Sequence, residues 1–301
     1  MTVEFSFGGP GGTGGNLIPT GLPLLAGEAR EWVADVAGPT TPVAGLALWS
    51  APGRVVGSAR SRPGEPIEAA AKRIYDAILV ATKGFNLYRV WNLVPNINAD
   101  TAGGLENYRA FCRGRSHAFE AALGVGFTRL LPAASALGTT DEALTVAFLA
   151  GTDPAAHFEN PAQVPAYEYP PQYGPRPPAF ARATVVLANG RRDAYISGTS
   201  AVVGHATVAP QATMPQLDCT FENLRLISRA SGLGEDLGAT AGAARHFKVY
   251  IRDPSDLPPV RAATEARLLR PGDYVSYLGA DICRAALNVE IEVAVRGAAN
   301  S

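Results

Sequence analysis

The sequence contains little cysteine and histidine, and neither occurs in a metal or disulfide pattern. Its three cysteines are odd in number and widely spaced, with no Cys-x-x-Cys pair. The four histidines form neither a His-x-x-x-His nor a His-Glu-x-x-His pair. Such pairs are typical of zinc sites, and an even cysteine count is typical of disulfide frameworks. We therefore expect no metal site and no disulfide framework.

The chain also lacks long hydrophobic runs and any excess of one charge. Its longest apolar stretches, such as residues 43–49, are far too short to span a bilayer, and no signal-peptide pattern precedes them. Lys and Arg number 26 against 27 Asp and Glu, which argues against a nucleic-acid partner. With 47% hydrophobic and 18% charged residues the composition is that of a globular protein. We expect a cytoplasmic protein without a membrane span.

Glycine is concentrated near the N-terminus, where residues 7–15 read Phe-Gly-Gly-Pro-Gly-Gly-Thr-Gly-Gly. A phosphate-binding loop would continue with Gly-Lys-Ser/Thr and open a helix, and neither follows here. Residues 1–20 are therefore predicted to be a flexible segment.

Hydrophobic periodicity predicts a repeated order of helices and strands. Apolar residues at helical spacing predict helices over residues 65–83, 105–123, 214–230 and 257–268. Shorter apolar or alternating runs predict strands over residues 85–98, 127–136, 143–149, 183–187, 193–197, 246–252, 274–281 and 287–295. An Asn189–Gly190 pair between two of these strands indicates a hairpin turn.

The second half of the chain repeats the order of the first. The strand Tyr88–Pro95 stands between two predicted helices, as does the segment Phe247–Pro254. This order predicts an α+β fold of two similar units, each a mixed sheet covered by helices on one side. The units would span residues 21–159 and 181–301, joined by a Pro- and Tyr-rich connector, residues 160–180, packed against the body.

A strand that carries carboxylates is the first candidate for chemistry. From Leu287 to Val293 the odd positions are apolar, whereas Asn288, Glu290 and Glu292 occupy the even ones. This period of two is typical of a strand with one face on a core. Its polar face could simply be solvated, but a carboxyl beside apolar walls favours its neutral form. Glu290 is therefore a candidate for proton transfer.

Arginines among apolar residues are the second candidate. Arg113 and Arg115 lie in the second predicted helix near Phe111, and Arg252 ends an alternating strand. Surface charge is one explanation, but the planar guanidinium also binds carboxylates or phosphates in a bidentate manner. These residues therefore imply an anionic ligand.

Two further segments bear on possible nucleophiles. Cys283 has no histidine near it in sequence to generate a thiolate, so it could be a core residue or part of a site. The segment Ser197–Ala201 does not form a Gly-x-Ser-x-Gly elbow, which argues against a serine hydrolase.

These residues lie in blocks that resemble the chorismatase family, across roughly residues 55–295. The blocks are Tyr88-Arg-Val-Trp-Asn-Leu-Val-Pro-Asn-Ile-Asn98, Glu106-Asn-Tyr-Arg-Ala-Phe-Cys-Arg-Gly-Arg-Ser116, Tyr173-Gly-Pro, Phe180-Ala-Arg-Ala183, Ser197-Gly-Thr199, Val203-Gly-His205, Val249-Tyr-Ile-Arg252, Ala280-Asp-Ile-Cys-Arg284 and Val289-Glu-Ile-Glu292. The first 20 residues match none of the family's blocks. The resemblance implies an enzyme that acts on chorismate, a dianion with an enolpyruvyl ether. It also implies a part similar to the RidA (YjgF) fold and no cofactor.

The resemblance further implies roles for single residues. Arg113, Arg252 and Tyr173 look like carboxylate binders, and Arg182 and Ser200 are expected to bind substrate as well. Glu290 looks like the acid that protonates the enolpyruvyl methylene.

The expected product depends on two positions. In the family a cysteine at the place of Cys283 accompanies hydroxybenzoate formation, and a small apolar residue there accompanies hydrolysis. We therefore expect catalysis with Cys283 in the site and 3-hydroxybenzoate as product. Ser200 stands where the family usually has alanine or glycine, which leaves 4-hydroxybenzoate open.

Several alternatives stay open at this point. Hydrolysis would give pyruvate and a dihydroxycyclohexadiene carboxylate. A RidA-like protein could instead bind a small carboxylate without catalysis, or act as an imine deaminase. The chain could be a monomer, since two units could supply internally much of the interface of a RidA-like trimer, or a trimer itself.

Overall fold

The chain folds into nineteen strands and four α-helices within the residues that the structure, a computed structural model, describes: 1–8, 16–188, 190–240 and 242–299. The strands are β1 (Thr2–Ser6), β2 (Leu17–Pro19), β3 (Leu24–Gly27), β4 (Arg30–Asp35), β5 (Gly38–Val43), β6 (Leu46–Ala51), β7 (Arg54–Arg60), β8 (Asn86–Pro95), β9 (Ala133–Thr139), β10 (Thr145–Gly151), β11 (Ala155–Phe158), β12 (Ala183–Ala188), β13 (Arg191–Thr199), β14 (Val202–Val203), β15 (Ala206–Thr207), β16 (Ala244–Ile251), β17 (Tyr274–Gly279), β18 (Asp281–Ile282) and β19 (Val289–Ala299). The helices are α1 (Ile67–Ala81), α2 (Asn107–Leu123), α3 (Thr213–Ala230) and α4 (Leu257–Arg267).

The four predicted helices are confirmed, because their apolar stripes are the faces that the fold buries. In α1 these are Ala70, Ala71, Ile74, Ala77 and Ile78. The predicted strand over residues 127–136 is wrong in its first half, where Phe127–Leu130 forms a 3₁₀ turn. Strand β9 starts only after Pro132, which has no N–H to pair in a ladder.

Two seven-stranded mixed sheets repeat one topology. The first has the order β18-β9-β8-β10-β7-β6-β5, and the second has the order β11-β12-β13-β19-β16-β17-β3. Five adjacent strands correspond, since β9-β8-β10-β7-β6 matches β17-β16-β19-β13-β12 in chain order and position. In each set one pair is parallel, β8 with β9 across α2, and β16 with β17 across α4. The predicted pair of similar α+β units is confirmed, and each sheet takes edge strands from the other half of the sequence.

Helices cover one face of each sheet, and the other faces meet in a central core. Helices α1 and α2 pack on the first sheet through residues that include Ile74, Ile78, Phe111 and Phe119. Helices α3 and α4 pack on the second sheet through Leu217, Leu224, Ile227 and Val260. The central core takes Tyr88, Trp91 and Leu149 from the first sheet and Tyr195, Tyr250 and Leu278 from the second. The prediction of helices on one side is thus confirmed.

The N-terminal segment belongs to the core at both of its ends. Strand β1 pairs with β2 and β4 in a small sheet, and Phe5 meets Trp91 edge-on with ring centroids 4.8 Å apart. The prediction of flexibility over residues 1–20 is therefore wrong for Thr2–Ser6 and Leu17–Pro19, whose short alternation the glycines obscured. The glycine-rich residues 9–15 lie outside the described residues, as does Asn189 of the predicted hairpin turn.

A buried cluster of four charged side chains joins the two sheets. Glu292 of β19 accepts hydrogen bonds from Arg89 of β8 at 2.7 Å and from the Trp91 indole at 2.9 Å. Lys248 of β16 lies 2.5 Å from the Glu292 carboxylate and also pairs with Glu31 of β4. None of the four is more than 3% exposed. Because a buried charge is costly unless it is paired, the cluster fixes these four strands in one mutual arrangement.

Replacing Arg89 with methionine should destabilise the fold by about 3–5 kcal/mol, because Glu292 would keep its burial and lose a cation. The measurement is urea unfolding of the wild type and the variant. Arg60→Met is the control, since Arg60 forms an exposed pair with Asp141 that should contribute less than about 1 kcal/mol. Equal losses in the two variants would show that the cluster does not join the sheets as described.

Candidate active site

A cavity of about 330 Å³ opens where both halves of the chain meet. This volume suits a small ligand, at the lower end of the ~300–1,000 Å³ that is usual for such sites. Its walls come from the start of α2, from the connector, from the end of β13 and from the segment before β19. The lining residues include Glu106, Tyr108, Arg109, Tyr169, Tyr173, Phe180, Arg182, Gly198, Ser200, Cys283, Arg284 and Glu290.

The Pro- and Tyr-rich connector forms one wall because its backbone pairs with the β14–β15 hairpin. The Val164 N–H donates to the Gly204 carbonyl at 2.9 Å, and the Gly204 N–H donates to the Ala162 carbonyl at 2.8 Å. Two short 3₁₀ turns, Ala166–Glu168 and Pro171–Tyr173, then bring Tyr169 and Tyr173 to the cavity.

Glu290 is an un-ionised acid in the cavity wall. It lies on β19 opposite Tyr250, is 4% exposed, and accepts a hydrogen bond from the Ser200 hydroxyl at 3.1 Å. Burial raises the pKa of Glu290 to about 8, assisted by repulsion from Glu292 and opposed by the Ser200 bond and by the charges of Arg89 and Arg182. At neutral pH this carboxyl group therefore holds its proton.

Glu292 is ionised, unlike Glu290, although it is only two residues away. Burial alone would raise its pKa, but the charges of Arg89 and Lys248 outweigh burial and lower the pKa to about 2. Its oxygens are engaged by the buried cluster, and it does not line the cavity. Glu292 thus has no proton to transfer near neutral pH.

Cys283 contributes a neutral thiol to the wall. Burial raises its pKa to about 12, and the nearby Glu290 adds to the shift. The group is therefore not a nucleophilic thiolate, in agreement with the absence of a neighbouring histidine in the sequence.

Three arginines supply positive charge to the cavity. Arg182 is 7% exposed, lies 5.1 Å from the Phe180 ring centroid and donates to the Tyr169 hydroxyl at 2.8 Å. Arg284 stacks 4.3 Å from the Tyr173 ring centroid and donates to the His205 carbonyl at 2.9 Å.

Arg109, at the start of α2, pairs with Glu106 at 3.4 Å. Sequence reasoning gave a role to neither Arg109 nor Arg284. Arg284 directly follows Cys283, and this proximity was the available signal.

Five of the seven predicted site residues come together at this cavity: Glu290, Cys283, Tyr173, Arg182 and Ser200. Tyr173 lies there with its hydroxyl 3.1 Å from Nδ1 of His205. Ser200 directs its hydroxyl to Glu290, not to open space.

Arg113 and Arg252 are not brought to the cavity, and their predicted placement is corrected. Arg113 points to α1, where it pairs with Glu68. Arg252 pairs with Asp281 and donates to the carbonyls of Leu287 at 2.8 Å and Arg284 at 3.1 Å. Its guanidinium thereby satisfies the irregular backbone that carries Cys283 and Arg284, and it is held by protein acceptors.

Several known proteins are similar to this chain in sequence, and one solved structure is similar to it over nearly its whole length. Residues 35–150 match the family described as chorismatase FkbO/Hyg5-like, N-terminal. A chorismatase of Streptomyces rapamycinicus is 36% identical over 88% of this chain and 81% of its own length. This chain belongs to the chorismatase family. A crystal structure of a chorismatase agrees, with a TM-score of 0.82 and 29% identity over 98% of this chain and 92% of that one.

Another relative of this chorismatase is named for its activity. A 3-hydroxybenzoate synthase of Streptomyces hygroscopicus is 39% identical over 69% of this chain. The aligned region spans only 62% of the length of that synthase. RidA from an Antarctic Psychrobacter aligns with 38% of this chain and 86% of its own, at 22% identity and a TM-score of 0.29, and adds nothing to these matches.

The described residues contain neither a metal-binding cluster nor a membrane-spanning helix. No group of three or more His, Cys, Asp or Glu side chains that could hold a metal ion occurs among them. None of the helices within the described ranges is long and apolar enough to cross a bilayer.

The raised pKa of Glu290 predicts how stability varies with pH. Between its ordinary value of 4.5 and about 8 the folded state binds more protons at this group than the unfolded state, so the group's contribution falls as pH rises. Relative to Glu290→Gln, the wild type should lose up to about 1.4 kcal/mol per pH unit from about pH 5 to about pH 8. Urea unfolding across that range measures the difference.

Glu65→Gln is the control for this titration. The Arg73 hydrogen bond lowers the pKa of Glu65 to about 2, so the stability it contributes is fully present above about pH 4.5 and is lost only as pH falls further. Its difference from the wild type should be constant from about pH 5 to about pH 8. A Glu290→Gln difference that is equally constant would show that Glu290 is ionised throughout.

Proposed function

We propose that this chorismatase converts chorismate to pyruvate and 3-hydroxybenzoate. The observation that carries the proposal is the un-ionised Glu290 in the wall of a small cavity that three guanidinium groups also line. Family membership and the name of the 3-hydroxybenzoate synthase relative support the same reaction.

The three cavity arginines match a substrate with two carboxylates. In this proposal Arg182, Arg284 and Arg109 take the role that the sequence suggested for Arg113 and Arg252. Arg182 is a buried cation that lines the cavity, with its Nε 3.9 Å from the Glu159 carboxylate. Tyr173 stacks on Arg284 and keeps its planar group in place for bidentate binding.

Glu290 transfers its proton to the enolpyruvyl methylene and creates an oxocarbenium ion. The C4 hydroxyl oxygen of the substrate then attacks C3 while the bond from C3 to the ether oxygen breaks, and the electron pair of that bond leaves with pyruvate. The hydroxyl proton returns to the Glu290 carboxylate. The resulting 3,4-epoxide opens at C4, and loss of the C3 proton gives 3-hydroxybenzoate. No water is consumed, and fixed cations stabilise the carboxylates throughout.

Glu290→Gln should lower turnover at least about a hundredfold and leave KM little changed. Glutamine keeps the shape of the side chain and can accept the Ser200 bond, but it has no proton to transfer. The measurement is pyruvate release from chorismate, coupled to lactate dehydrogenase. Glu65→Gln, far from the cavity lining, should retain the wild-type rate.

Two results would contradict this account at different levels. Pyruvate release by Glu290→Gln at near the wild-type rate would exclude Glu290 as the acid. No pyruvate release by the wild type would exclude the reaction itself and favour carboxylate binding without catalysis, or an imine deaminase.

Cys283 should govern the choice between aromatisation and hydrolysis. Cys283→Ala removes the sulfur and opens about the volume of one water molecule, ~30 Å³, beside the oxocarbenium ion. The variant should still consume chorismate, but with product shifted towards the dihydroxycyclohexadiene carboxylate. The measurement is mass analysis of the products formed in oxygen-18 water.

The wild type should give an unlabelled 3-hydroxybenzoate, because its new hydroxyl oxygen comes from the substrate. A wild type that yields the dihydroxy acid would be a hydrolase, and that acid would be unlabelled, because water adds to the oxocarbenium carbon and its oxygen leaves in pyruvate. A wild type that yields 4-hydroxybenzoate would retain the C4 oxygen in place and would implicate Ser200 in the different outcome.

A further inference from the structure

The Ser200 hydroxyl is fixed against one oxygen of Glu290. Ser200 follows β13, is 5% exposed, and donates to Oε2 of Glu290 at 3.1 Å. Its carbonyl accepts hydrogen bonds from the Asn223 side chain at 3.0 Å and from the Val202 N–H at 2.8 Å. Two hydrogen bonds to its carbonyl therefore hold the backbone that carries the hydroxyl.

The other oxygen of Glu290 lies against a glycine. Strand β13 bulges between Ile196 and Thr199, and a Cβ on Gly198 would come within 1.9 Å of Oε1 of Glu290. The Gly198 N–H donates to the Ser135 hydroxyl at 2.9 Å, so it is not directed at Oε1. Bulges next to active sites commonly re-aim side chains in this manner. Oε1 thus occupies space that only a glycine leaves open, in the wall of the cavity.

We propose that Ser200 is a positioning residue that fixes the transferable proton of Glu290 on Oε1, the oxygen beside Gly198. In a neutral carboxyl group the carbonyl oxygen is the stronger acceptor, so a hydroxyl that donates to Oε2 favours the O–H on Oε1. The inference rests on the proposed role of Glu290 as the acid. After the proton has left, the same Ser200 bond becomes charge-assisted and stabilises the carboxylate.

The direction in which the pKa of Glu290 shifts when the Ser200 hydroxyl is removed can be measured, because the other titratable groups around Glu290 stay in place. The titratable groups that face it are Tyr250 on β16, Arg89 on β8, Arg182 before β12, Glu292 on β19 and Cys283 before β19. None of them is changed by a substitution at Ser200. A donor to Oε2 favours the carboxylate, so its loss should raise the pKa of Glu290, whereas loss of an acceptor would lower it.

Ser200→Ala should lower kcat for pyruvate release about tenfold, because the new carboxylate loses a charge-assisted bond. The pH above which kcat/KM falls should also move upwards. Ser200→Thr keeps the hydroxyl and should restore both quantities. Ser231→Ala is the matched control, since it removes a buried hydroxyl that donates to the carbonyls of Ile227 and Ser228 in α3. It should leave rate and pH profile unchanged.

An unchanged profile, or a downward shift, in Ser200→Ala overturns the proposal. Ser200→Gly serves as a second hydroxyl-free variant where Ser200→Ala does not fold. If the wild type releases no pyruvate, the proposed function is contradicted, independently of the role of Ser200. The titration of Glu290 can then be followed by carbon-13 NMR, with its signal identified by its loss in Glu290→Gln. An upward shift on removal of the hydroxyl still supports the role of Ser200, and no shift contradicts it.

Discussion

The pairing of Glu292 with Arg89 and Lys248 is the constraint on which the site depends. Residues two apart on a strand share a face, so Glu290 and Glu292 compete for the same cations. Both cations contact Glu292. Glu290 is left buried, next to an anion and without an ion pair, so its proton is retained. One strand thereby presents two carboxyl groups in opposite states, which is the pattern that acid catalysis near neutral pH requires.

Duplication explains why such a cluster can form. The facing sheets bring β8 of the first unit against β19 of the second, so Arg89 and Glu292 meet across about two hundred residues of sequence. The cavity is likewise built from both units, because the first unit supplies Arg109 and the second supplies Glu290. Arg252 completes the arrangement by holding the segment with Cys283 and Arg284 in place. The arginine that was expected to bind substrate supports the residues that line the site.

The sequence predicted whatever depends on local periodicity and missed whatever depends on long-range partners. The four helices followed from spacing alone, because burial of one face imposes that spacing, whereas Glu290 was singled out as the acid by the resemblance to the family. Arg113 was expected to bind substrate, but the packing of α1 on α2 pairs it with Glu68, whereas Arg109, about one turn earlier on α2, lines the cavity. The anionic state of Glu292 could not be predicted from the sequence either, since its cations lie on other strands.

The opposite protonation of the two glutamates is the central claim, and infrared spectroscopy tests it most directly. At about pH 6 the wild type should show bands from two buried protonated carboxyl groups, because burial raises the pKa of Glu159 to about 7 and that of Glu290 to about 8. The Glu290 band is the one that remains in a Glu159→Gln background. In that background Glu290→Gln should lack this band, and Glu292→Gln, if folded, should retain it. A Glu159→Gln protein without the band, or a band that persists when Glu290→Gln is added to it, would contradict the account.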